Sequence, residues 1–113
     1  MSNSVFQSVI VQLKDATDRV LGVMDAEGSV VACTDLTLLG ERWSDAAVKV
    51  ASGFETPIVY GQKTFKPMVS SSNYVEYAVF CTGEDELARS MCIAAFVALS
   101  DAKNYYEDRK SVV

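Results

Sequence analysis

Apolar residues recur at Phe6, Val9, Ile10, Leu13, Ala16, Thr17 and Val20, the period of one helical face, while Gln12, Asp15 and Arg19 fall opposite. Ser4 and Gln7 stand at the spacing of a capping box, so the pattern predicts a helix that starts at Ser4 and runs toward Val20. The pattern then shifts to short apolar runs. Residues 21–24 and 29–34 read as two strands, joined by the turn Asp25-Ala26-Glu27-Gly28, whose glycine suits a left-handed turn position. Residues 35–40 form a connector. A second helix is expected over 41–52, with Trp43, Ala46, Ala47 and Val50 on its inner stripe and Gly53 ending it.

Three more strands follow, over 57–60, 64–69 and 74–82, separated by turns at 61–63 and 70–73. Pro57 suits a strand start, and Pro67 marks an edge or an interruption. The last helix has Thr82 as its expected cap, with Asp85 three residues on and Glu84, Asp85 and Glu86 at the positive end of its dipole. It carries two apolar stripes. Leu87, Met91, Ala95, Ala98, Ala102 and Tyr105 form one; Cys92, Ile93, Phe96 and Leu99 form the other. The expected fold class is α+β, a five-stranded antiparallel sheet with flanking helices in the order α-β-β-α-β-β-β-α. By analogy of element order this is the profilin-like group, which includes roadblock, PAS-like and GAF-like domains and serves many functions.

A length of 113 residues fits one domain, residues 1–113, with one hydrophobic core. The net charge of -5 and the scattered basic residues argue against a nucleic-acid-binding module. The N-terminus lacks the basic region of a signal peptide, and the apolar run 91–99 is too short to span a bilayer. A cytoplasmic location without membrane contact is the expectation. Cys33, Cys81 and Cys92 read as reduced, buried thiols, and their wide separation offers no metal site.

The chain contains no histidine, phosphate loop or dinucleotide fingerprint. Asp25 with Glu27, and the acidic run at 84–86, could do acid–base work but fit structural roles at a turn and a helix start. The chain therefore reads as a non-enzyme that needs no cofactor.

Two other features suggest binding. The hairpin at residues 60–66 gathers Tyr60, Gln62, Lys63 and Lys66. With Arg42, and with Lys49 if the second helix covers the same face, it could hold a small anionic metabolite; the alternative is a solvated hairpin. The second stripe of the last helix, Cys92, Ile93, Phe96 and Leu99 together with Tyr106, fits either a homodimer interface or burial against the first helix. No Gly or Pro stops this helix before Val112 and Val113. It therefore reads as a helix continuing toward a further domain, or as a terminus that frays.

Four segments taken together resemble a known family. They are Asp25-Ala26-Glu27-Gly28, Gly40-Glu41-Arg42-Trp43-Ser44-Asp45-Ala46, Gly61-Gln62-Lys63-Thr64-Phe65-Lys66-Pro67 and Gly83-Glu84-Asp85-Glu86-Leu87-Ala88-Arg89-Ser90-Met91. The combination is similar to the N-terminal sensory region of bacterial transcription regulators of the PucR/CdaR type, the sugar-diacid-regulator-like proteins. The resemblance implies the sensory, dimerising part of a longer regulator whose DNA-binding helix-turn-helix lies elsewhere. It also implies a small metabolite as ligand, of the glycerate- or glucarate-like sugar-diacid class. Two rivals remain: a ligand-free, roadblock-like interaction scaffold, and a small enzyme using carboxylates such as Asp25 and Glu27.

Overall fold

The computed structural model describes residues 3–53, 57–70 and 73–111, with side chains over 5–53, 57–70 and 73–103. The elements are α1 (Asn3–Gln12), β1 (Leu21–Asp25), β2 (Val30–Cys33), α2 (Ser44–Gly53), β3 (Ile58–Tyr60), β4 (Lys63–Val69), β5 (Val75–Thr82) and α3 (Glu86–Ser111). Short 3-10 turns at Lys14–Ala16 and Leu36–Leu38 are added. The strands form one antiparallel sheet in the order β2-β1-β5-β4-β3. The chain is thus an α+β domain with a central five-stranded sheet.

Period-two alternation divides the side chains between the faces of the sheet. Leu21, Val23, Val79, Cys81 and Met68 point to one face, where Phe6 and Ile10 of α1 and Ala88, Cys92, Ala95 and Leu99 of α3 close over them. Met24, Phe65, Ala78 and Phe80 point to the other, where Ala46, Ala47 and Val50 of α2 pack. Of the stripe expected at a dimer interface, Cys92 and Leu99 are therefore core residues, each 0% exposed. They are corrected on that ground, since side chains buried against their own sheet cannot meet a partner. Ile93 and Phe96 are half-buried, and the side chain of Tyr106 lies outside the described ones.

The first helix is shorter than its periodicity suggests. It begins at Asn3, with Ser4 inside it, and ends at Gln12. Leu13 N–H and Ala16 N–H then donate to carbonyls three residues back, Ile10 and Leu13. Thr17 is extended, and Val20 exchanges hydrogen bonds with Thr82 at the end of β5. The apolar period continues, but sheet pairing takes the last residues. Gln7 is not free to reach Ser4, because its side-chain amide exchanges two hydrogen bonds with the backbone of Cys33, at 2.9 and 3.0 Å. It thereby satisfies part of the outer edge of β2.

The second helix starts at Ser44 rather than at 41 because residues 40–43 are held along β2. Gly40 N–H donates to Val30 O, Val30 N–H to Glu41 O, and Trp43 N–H to Gly28 O. The third helix likewise starts after its expected cap. Asp85, not Thr82, accepts from Ala88 N–H, and Gly83 at φ +107° breaks the chain between strand and helix. Pro67 pairs with Ala78 of β5, while β3 covers β4 only as far as Phe65. Its missing donor thus falls where β4 has no outer neighbour among the described residues.

Candidate functional site

The chain from β2 to α2 and the β3–β4 hairpin approach each other on the α2 face. Between them lies a cleft of about 400 Å³, lined by Arg42, Trp43, Asp45, Tyr60, Lys63 and Phe65 among others. Its construction begins in β1. Gly22 has no side chain, and a Cβ there would stand 2.4 Å from the Phe80 ring and 2.6 Å from Ala32 O. Phe80 uses that space. Trp43 packs edge-on against Phe80, with ring centroids 4.8 Å apart, and Phe65 lies beside it at 6.1 Å.

Two backbone contacts place Trp43. Its N–H donates to Gly28 O at 2.8 Å, and a Cβ on Gly28 would sit 2.4 Å from Trp43 O. Gly28 itself, at φ +93°, closes the turn in which the Asp25 carboxylate accepts from Glu27 and Ser29 N–H. Asp25 is thus a turn residue. The indole Nε1–H donates to Glu41 at 2.9 Å. Lys63 holds its ammonium over the indole, 4.8 Å from the centroid, a cation–π contact. Arg42 pairs with Glu27 at the exposed rim.

Of the expected ligand residues, the fold brings Arg42, Tyr60 and Lys63 together. Gln62 and Lys66 do not line the cleft, and neither does Lys49. Gly61 and Gln62 are the two central residues of the hairpin, both with positive φ (59° and 63°), and Gln62 is exposed. Lys66 is separated from Lys63 by an odd number of strand positions, so it points to the opposite face. There it lies over Phe96 at 4.5 Å. Lys66 thus stands on the face opposite the cleft, and Gln62 at the exposed turn of the hairpin. Trp43, Asp45 and Phe65 are among the lining residues that had no binding role in the sequence reading. The alternation Lys63, Phe65 along the hairpin is the signal that locates Phe65.

Buried thiols lie on both faces, Cys33 in the α2 cluster and Cys81 and Cys92 in the other. Cys33, Cys81 and Cys92 are all free and buried. Burial raises each thiol pKa, pushing that of Cys92 up to about 12. Cys92 Sγ–H donates to Val79 O at 3.2 Å. At the start of α3, Arg19 clamps Asp85 through two nitrogens, one pair at 2.7 Å. With the Ala88 N–H this holds the Asp85 carboxyl down at about 2. Among the described residues no group of acidic, cysteine or histidine side chains could hold a metal ion, and no helix is long and apolar enough to cross a membrane. Comparison with protein-family models, curated proteins and solved structures finds no match to this chain.

Proposed function

We propose that this chain is a non-catalytic sensory and dimerising domain of a bacterial transcription regulator, of the PucR/CdaR type that its four segments resemble and profilin-like in architecture. It binds a small anionic metabolite in the cleft beside α2. The observation that carries this reading is the convergence of Trp43, Tyr60 and Lys63, from segments remote in sequence, around one concave space with Arg42 at its rim. A ligand-free scaffold of the roadblock kind would have no use for such a space. The absence of histidine and the structural engagement of Asp25 favour binding over turnover.

Dimerisation rests on the outer stripe of α3 rather than on the buried one. Leu87 and Val97 are each about half-exposed there, with Ala94 exposed between them. A signal would pass by stabilising one of two arrangements of the paired helices. Native mass spectrometry of the purified chain tests the reading, with a dimer retaining small-molecule mass as the expected result. A bare monomer at micromolar concentration would remove the dimer. Val97→Glu is expected to give a folded monomer by light scattering and circular dichroism, and an unchanged dimer would place the interface elsewhere.

A further inference from the structure

We infer that the ligand of the α2 cleft is a monoanion with a flat, apolar body, an aryl carboxylate in kind, rather than a hydroxyl-rich dianion. The inference rests on the cleft being the binding site and goes further by naming the ligand's chemistry. The lining has two side-chain cations, Arg42 and Lys63, against one carboxylate, Asp45. Arg42 is already engaged by Glu27, so Lys63 and Asp45 remain, one charge of each sign. Lys63 is therefore the cation left to meet an incoming carboxylate, and a second carboxylate would face Asp45 without a counter-charge.

The walls point the same way. Trp43 and Tyr60 supply aromatic surface, with Phe65 fully buried in the lining, and the indole N–H is spent on Glu41. A polyol would lose water at most of its hydroxyls on entering and regain few hydrogen bonds, which disfavours it. A ring would instead bury apolar area against Tyr60 and the indole edge. Lys63 stands over the indole at 4.8 Å, so an anion bound to its ammonium is held beside aromatic surface. Charge and walls thus select a single carboxylate attached to a planar group.

Trp43 is the chain's single tryptophan, so its fluorescence reports on this cleft without labelling. The experiment titrates the whole 113-residue chain with phenylacetate, glucarate and benzyl alcohol, and follows Trp43 emission together with calorimetric heat. Saturable binding of phenylacetate, with little or none of the other two, is the expected result. Lys63→Gln should weaken phenylacetate by about tenfold or more, and Lys66→Gln should leave it unchanged. Glucarate binding at Trp43 in place of phenylacetate would overturn the monoanion inference and leave the cleft reading standing. Heat without any change in Trp43, or no response to any probe, would overturn the cleft reading as well. Undiminished phenylacetate binding by a folded Lys63→Gln would also overturn the inference, since Lys63 is its anchor.

Discussion

The two faces of the sheet are built on different principles. On one, two helices close over β1, β4 and β5 with aliphatic, alanine and cysteine side chains and the Phe6–Tyr77 pair. At 26 residues α3 is about 39 Å long, more than enough to cross the sheet. On the other, α2 has ten residues, about 15 Å, and meets the sheet through two alanines and a valine. It covers the middle and leaves space at its flanks, the 400 Å³ cleft on one side and about 350 Å³ beside Val50 and Ala78 on the other. On the open face Trp43, Phe65 and Phe80 fill part of what a short helix leaves uncovered.

Truncations on either side would sharpen this division most. Leu99→Ala and Phe80→Ala should each destabilise the fold by roughly 2–5 kcal/mol in denaturant unfolding, both being fully buried. Only Phe80→Ala should also shift the native emission of Trp43, which it supports. A matching shift in Leu99→Ala would mean that the two faces are not independent.

A smaller loss is expected at Gly28, where a side chain would meet strain at φ +93° and the Trp43 carbonyl. Gly28→Ala should cost about 1–3 kcal/mol and loosen Trp43, read as increased quenching by acrylamide. Unchanged quenching would show that the Gly28 contact does not hold the cleft wall.

Acid sensitivity at the start of α3 rests on Asp85. The folded pKa of Asp85, about 2, lies below its ordinary value. Its contribution is therefore complete above about pH 4 and is lost as pH falls toward 2. Asp85→Asn should flatten that part of the stability–pH curve, with the Trp43 environment unchanged, and an unaltered slope would assign the acid response to other groups.

The least effect is expected at Gln62. It is exposed and held at φ +63°, so Gln62→Gly should raise stability by about 0.5–1 kcal/mol, or leave it level, without altering ligand binding. A weakened ligand would return Gln62 to the site.

Much of this was legible before the fold. All five strands fall within one residue of their expected limits, because alternating β-rich runs between turn residues admit few other readings. Helix starts were less legible. Residues 40–43 and Thr82 have helical or capping character locally, yet pairing with β2 and with Val20 claims them. The same limit applied to the site. Lys63 and Lys66 look alike in the sequence, but on a pleated strand they belong to opposite faces.

The sequence by itself determined the α+β class, the strand boundaries and the polar or apolar character of each segment. These follow from local periodicity and turn chemistry, which act over a few residues. Only the tertiary structure decided which face each helix covers, that Cys92 and Leu99 are core, and that Trp43 meets Lys63 across 20 positions of chain. Those outcomes depend on strand order and on the fit of side chains such as Phe80 into the space left at Gly22. No local pattern encodes them, because the partners become neighbours only when the sheet has formed.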